Sequence, residues 1–167
     1  MRLSFKTRPQ HSEWQPIVDM WREGDRIDAY HAGWTFDHLD PIFSERPGPV
    51  FEGWTMLAAL SGIVRRVRLG VLVTGNTYRH PAVLANMAAT LDVASGGRLE
   101  IGLGTGWVED EHTAYGIPLP SWKERFDRLE ETCEILDSLL TRPVTDFEGP
   151  FHQISGARAE PKPIQQP

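Results

Sequence analysis

Residues 67–74, Val-Arg-Leu-Gly-Val-Leu-Val-Thr, form a nearly unbroken apolar run that ends at Gly75-Asn76. Such a run predicts a strand buried on both faces of a parallel sheet, and a parallel sheet needs a helical crossover between strands. The flanking sequence supplies them. Residues 2–8 alternate polar and apolar, with Leu3 and Phe5 on one face, and predict a first strand. Ser12-Glu13-Trp14-Gln15 has the form of a capping box. Trp14, Ile17, Val18 and Trp21 then recur at helical spacing, and Gly24 is placed to close the helix. Residues 28–38 carry Tyr30, Trp34 and Phe36 on one parity, a second strand ending in Asp37-His38-Leu39-Asp40. After a Pro- and Gly-bearing loop, residues 50–63 predict a helix burying Phe51, Trp54, Leu57 and Ala58, with Met56 a further candidate.

The plan repeats beyond the apolar run. Pro81 suits the first turn of a helix whose buried stripe is Val83, Leu84, Met87, Ala88 and Leu91, and Gly96-Gly97 ends it. Residues 98–103 form the fourth strand. Ser121-Trp122-Lys123-Glu124 is a second capping box, followed by Phe126, Leu129, Cys133, Leu136 and Leu140 at three- and four-residue spacing. The order is thus β-α-β-α-β-α-β-α. Residues 144–147 and 151–154, split by Glu148-Gly149-Pro150, predict a short hairpin, and residues 160–163 an extended edge.

With 167 residues, 40% hydrophobic and 24% charged, the chain has globular usage, which excludes disordered and collagen-like classes. A net charge of −6 and a single basic cluster, Arg65-Arg66-Val67-Arg68, argue against a nucleic-acid face. The one cysteine, Cys133, leaves no internal disulfide and is expected as a small buried hydrophobe. No apolar run reaches the ~18 residues of a membrane span, and residues 1–6 have no signal-peptide core, so a cytoplasmic location is expected.

In parallel α/β folds the C-terminal strand ends carry function. Three are informative here: Asp37-His38, residues 74–80 and residues 104–112. A dinucleotide fingerprint fails, because Trp107 or Glu109 occupies the third glycine position, and no Walker lysine follows. What remains after the fourth strand is a glycine-rich end that allows close approach to a planar or anionic ligand, or a plain tight turn. Asp37-His38 sets a carboxylate beside an imidazole, which can tune a proton donor or simply cap a helix. His38, His80, Glu109, Glu111 and His112 include metal-ligand types, but their spacing fits no H-x-H or H-E-x-x-H pattern, and no metal is expected. His31 and His152 fall in strand-like segments and are expected to be structural.

Taken in order, four stretches resemble the luciferase-like monooxygenase superfamily. They are Gly33-Trp34-Thr35-Phe36-Asp37-His38, residues 73–85, Ser95-Gly96-Gly97-Arg98-Leu99-Glu100 and Gly102-Leu103-Gly104-Thr105-Gly106-Trp107. Within it they are similar to the deazaflavin (coenzyme F420)-dependent oxidoreductases. Ala114-Tyr115-Gly116-Ile117-Pro118 and Pro161-Lys162-Pro163-Ile164-Gln165 fit the same pattern, so the resemblance spans nearly the whole chain.

The resemblance implies a TIM-type (βα)8 barrel that binds deazaflavin, or FMN as the alternative, at its C-terminal face for hydride transfer. His38 matches the proton donor or acceptor. Asp37, Val73, Thr74, Thr105 and Gly106 match positions lining the ring. A non-prolyl cis peptide is expected within residues 71–74, first at Leu72–Val73. Trp107 departs from the acidic residue some relatives carry there, for which Glu109 or Glu111 could substitute.

A complete barrel takes ~250 residues. The expected fold is therefore α/β: an N-terminal half-barrel of about four βα units plus a short β-hairpin. It is expected as a single truncated domain over residues 1–167, without the phosphate-binding end that follows strands seven and eight. Half a barrel leaves strand residues such as Val71, Val73, Ile101 and Leu103 without full cover. A homo-oligomer, commonly a dimer, or a completing C-terminal half is the expected partner, beside a small-molecule substrate. The implied activity is flavin- or deazaflavin-dependent hydride transfer. The alternatives are a non-catalytic half-barrel acting as an oligomerisation or structural module, and a metal-dependent hydrolase.

Overall fold

The structure, a computed structural model, describes residues 1–165. It divides into two compact units, Met1–Thr74 with Arg98–Gly102, and Gly75–Gly97 with Leu103–Pro167.

The first unit is organised on the sheet. Strands β1 (Leu3–Lys6), β2 (Tyr30–Thr35), β3 (Arg68–Gly75) and β4 (Leu99–Gly104) lie side by side in chain order. β1–β2 and β2–β3 pair in parallel, with Gly33 opposite both Phe5 and Leu69. Helix α1 (Trp14–Arg26) links β1 to β2, and α2 (Gly53–Ser61) links β2 to β3, which is the expected βαβ alternation. The buried stripe of α1 is Ile17, Val18, Trp21 and Gly24. Trp21 is fully enclosed: its ring meets Phe5 edge-on at 5.2 Å, and its Nε1 donates to Thr7 Oγ1 at 3.0 Å.

Four expectations fail in this unit. The first capping box does not form, because Ser12 Oγ donates to the Glu13 carbonyl at 3.2 Å and Glu13 caps without a side-chain bond. Gly24 does not end α1; a Cβ there would lie 2.5 Å from Phe5 Cζ, so glycine serves close packing inside a helix that runs on to Arg26. β3 is not buried throughout. Cover extends over Leu69, Gly70 and Val71, but Leu72 is 43% and Val73 41% exposed. On α2, Glu52 caps by accepting from Trp54 N at 3.1 Å and Thr55 N at 2.7 Å; Met56 is buried as the pattern allowed, and Leu60 is buried while Ala58 is exposed. The Leu72–Val73 peptide is cis, as the resemblance implied.

The basic cluster before β3 is a backbone knot. Asp25 accepts from the backbone N–H groups of Arg65, Arg66 and Val67 at 2.8–2.9 Å, and Arg66 donates to the carbonyls of Asp25, Ile27 and Tyr30. Burial alone would raise the Asp25 pKa, but these three donors and the Arg66 charge bring it below the ordinary carboxylate value. A depressed carboxylate contributes stability above its unfolded pKa, and that stability disappears as pH falls through the lower folded value. The thermal midpoint should therefore drop on acidification below about pH 4, and Asp25→Asn should start lower at neutral pH and flatten that drop. Thermal melts across pH measure both.

In the second unit Pro81 opens α3 (Pro81–Ser95), capped by His80, whose Nδ1 accepts from Ala82 N at 3.1 Å. Gly96, at φ 72°, ends it in the left-handed conformation. Its buried stripe is Leu84, Ala85, Ala88, Ala89 and Leu91, with Val83 exposed. After a short α4 (Glu109–Tyr115), α5 (Trp122–Thr141) starts at Ser121, whose Oγ accepts from Glu124 N at 3.3 Å. The face of α5 differs from the apolar count: Arg125, Glu131, Thr132, Ile135, Leu136 and Leu139 are buried, whereas Phe126 and Cys133 are exposed. Arg125 and Glu131 have fixed polar partners, so charged residues hold interior places that hydrophobicity alone assigns elsewhere. β5 (Thr145–Glu148) and β6 (Gln153–Ala157) form the expected antiparallel hairpin. Residues 160–163 are not a strand; the chain there is pinned through Ile164 N and Gln165 N, which donate to Asp92 Oδ2 at 2.7 and 3.1 Å. Among the described residues no helix is long and apolar enough to cross a membrane.

Candidate active site

In the first unit the end of β2 delivers Phe36, Asp37 and His38. Phe36 and Asp37 are buried, at 3% and 2% exposure, and His38 is half-buried with its ring edge-on to Phe36 at 5.2 Å. The structure thus fixes Asp37 inside and leaves an imidazole edge reachable. At the end of β3, Thr74 is fully buried, and its Oγ1 accepts from Trp54 Nε1 at 3.1 Å. Leu72 and Val73 face outward beside it, and a Cβ at Gly102 would lie 2.7 Å from the Val71 carbonyl and 3.2 Å from Val73 Cγ1. Only glycine lets β4 run that close.

Lys6, at the end of β1, was not singled out from the sequence. Its Nζ donates to the Leu72 carbonyl at 3.1 Å, and burial together with Arg8 lowers its pKa. In a short alternating strand it reads as one more solvated lysine, so no sequence signal marks it.

In the second unit Thr105 is half-buried and Gly106 sits at φ 79°. Around Gly106 lies a polar network. Arg125, 6% exposed, donates from Nη1 to the Gly106 carbonyl at 2.5 Å, and its guanidinium lies 4.0 Å over the Trp122 ring. A Cβ at Gly106 would fall 2.6 Å from Thr77 Oγ1. His112, 1% exposed, bonds the Val108 carbonyl through Nδ1 at 2.6 Å; a carbonyl only accepts, so Nδ1 carries the hydrogen. In the neutral ring Nε2 then accepts from Thr77 Oγ1 at 2.7 Å. Tyr78 stacks on His112 at 5.1 Å and donates its hydroxyl to Glu111, which is completely buried.

Glu111 is thus enclosed behind Tyr78 and does not supply an exposed acid, whereas Glu109 is exposed. Trp107 is 51% exposed. His152 is a packed residue, its Nδ1 2.7 Å from Glu131 Oε2. Among the described residues no group of three or more His, Cys, Asp or Glu side chains is disposed to hold a metal.

Comparison with known proteins places these strand ends in a family. The luciferase-like monooxygenase family model matches residues 2–167. An F420-dependent glucose-6-phosphate dehydrogenase of Amycolatopsis mediterranei is 31% identical over 99% of this chain and 49% of its own length. One from Intrasporangium calvum is 36% identical over 98% and 51%. The chain thus spans about half the length of these curated relatives. Among solved structures, an F420-dependent secondary alcohol dehydrogenase bound to an F420-acetone adduct superposes with a TM-score of 0.86 at 19% identity, over 99% of this chain and 51% of that one. The fold is accordingly α/β, four βα units and a hairpin matching half of a longer chain, and the chain belongs to the luciferase-like monooxygenase family.

Proposed function

We propose that residues 1–167 form the N-terminal half of a luciferase-like barrel and take part in hydride transfer between a deazaflavin and a small organic substrate. The observation that carries this reading is the Asp37-His38 pair, a buried carboxylate followed by a reachable imidazole at the end of a parallel strand. FMN is the alternative cofactor. The residues present suit a planar ring: Val73 offers an exposed apolar surface, and Gly102 adds no side chain beside it. In the first unit Asp37, Val73 and Thr74 would hold the ring; Thr105 and Gly106, in the second unit, are ring-lining positions by the resemblance alone.

Bound there, the deazaflavin supplies a hydride acceptor and donor. His38 takes the proton released when the substrate is oxidised and returns it in reduction, and Asp37 keeps the adjoining backbone in place. The relatives' other half, or a second copy of this chain, would complete the site and cover Leu72, Val73 and Ile101, each at least 36% exposed.

Titrating the pure chain with deazaflavin and with FMN, followed by absorbance and fluorescence, should give saturable binding of at least one, with deazaflavin the tighter. Binding of neither, by the chain alone or by any oligomer it forms, would leave a structural half-barrel as the better reading.

A further inference from the structure

Within the first unit, residues 9–11, just beyond β1, grip the loop that runs from His38 to α2 at both of its ends. At the near end the Gln10 side chain pairs with Ile42 as a neighbouring strand would. Its Oε1 accepts from Ile42 N and its Nε2 donates to the Ile42 carbonyl, each at 3.0 Å. The same Nε2 donates to Ser44 Oγ at 2.9 Å, and Ser44 Oγ lies 3.1 Å from His11 Nε2. At the far end His11 N donates to the Pro49 carbonyl at 2.9 Å and Phe51 N to the Pro9 carbonyl at 2.8 Å, with Gln10 bridged to Val50. Inside the loop, Arg46 Nε sits 3.3 Å from Asp40 Oδ2 and donates to the Pro41 carbonyl at 3.2 Å.

Backbone strain is concentrated at the same place. Among the described residues, the non-glycine positions with left-handed φ are His11, at 49°, and Phe43, at 55°. Bulky residues keep that conformation only where the surrounding structure fixes it, and such positions gather at functional sites. Phe43 stands between the two residues that Gln10 holds, and burial does not keep it there, since it is 80% exposed. His11 is closely confined, because a Cβ at Gly48 would run into its ring.

We propose that Gln10 is a positioning residue for His38: by fixing Ile42 and Ser44 it sets the course of the segment that carries the imidazole. His38 lies between two fixed points, the end of β2 at Thr35 and Ile42, four residues on. Releasing the second point lets the backbone between them take other courses, and a displacement of about 1 Å at a reacting group is enough to cost much of its rate. A primary amide suits the task because it donates and accepts at once. A carboxylate would set oxygen against the Ile42 carbonyl, and asparagine is one methylene short. The inference rests on the hydride-transfer reading of His38.

A mutant cycle, followed by deazaflavin absorbance in whichever assembly of this chain is active, tests it. Gln10→Ala should lower kcat about tenfold to a hundredfold while KM and the deazaflavin Kd stay near wild type. In a His38→Ala background the same change should cost no more than about twofold, because the group that Gln10 positions is gone. Gln15→Ala, at an exposed position on α1, should leave kcat unchanged. Hydrogen exchange gives a readout that does not need turnover. The Ile42 amide should exchange about tenfold faster or more in Gln10→Ala, while the Leu69 amide in β3 keeps its protection. Thermal melts check folding; if Gln10→Ala does not fold, Gln10→Glu, which keeps the Ile42 N contact, carries the cycle. Turnover in the wild type with an unchanged kcat in the folded variant, equal slowing with and without His38, or unchanged exchange at Ile42 would overturn this proposal alone. No deazaflavin turnover by the wild type would overturn the hydride-transfer reading and this proposal with it.

Discussion

Replacing His38 by alanine should lower turnover about 10²- to 10⁴-fold, the range expected when a positioned acid–base group is lost. The dissociation constant for the deazaflavin should hardly move. The measurement is steady-state deazaflavin absorbance in whichever assembly of this chain is active, with cofactor titration alongside. The split follows from the geometry: the ring leans edge-on against Phe36 and is half-buried, while the neighbouring Asp37 is buried. His38→Asn keeps a polar side chain but cannot shuttle a proton near neutrality, so it should be as slow as alanine. If turnover survives in both variants while the melting point falls, His38 is a packing residue and Asp37-His38 has lost its catalytic role.

Trp21→Ala should remove about 3–5 kcal/mol from the stability of the first unit, the usual cost of truncating a fully buried aromatic. The indole has no exposed surface, meets the Phe5 ring, and donates to Thr7 Oγ1. A Cβ at Gly33 would fall 2.7 Å from Trp21 Cζ3, which shows how little room surrounds it. Trp21→Phe keeps much of the packing but withdraws the donor from buried Thr7, and should cost about 1–3 kcal/mol. Urea unfolding monitored by circular dichroism separates the two. Equal losses would mean that the hydrogen bond, and not ring volume, dominates at this position.

The βαβ order, the Pro81 helix start, the Gly96 stop and the hairpin were legible because each depends on neighbours in sequence. The failures have another origin. The face of α5 is set by Arg125 and Glu131, whose partners Gly106 and His152 lie 19 and 21 positions away. No periodicity of hydrophobic residues can reveal a charge that is welcome inside. Glu111 and His112 stand in a polar run after the fourth strand, yet both are buried, because Tyr78 and Thr77 reach them from 33 and 35 positions upstream. Asp37 and His38 were marked by their place at a strand end, the Leu72–Val73 peptide by resemblance, and Lys6 was missed because its partner, the Leu72 carbonyl, is 66 residues distant. Local grammar placed the elements. Distant polar pairings decided which of their faces turned inward.

The spatial order of the sheet, β1-β2-β3-β4, is also the order in which its strands are synthesised. A nascent chain leaving the ribosome can therefore dock each new strand against the one just laid down, with a single crossover to close at every step. Apart from the outer edge of β1, no strand in this sheet has to wait, unpaired, for a neighbour encoded much later. Because each new strand joins the one before it, every closure stays local in sequence, which limits the entropic cost of each addition and favours stepwise accretion. The growing edge always belongs to the newest strand, so while translation proceeds the sheet's exposed flank moves along with the tunnel exit, where the next segment emerges to cover it.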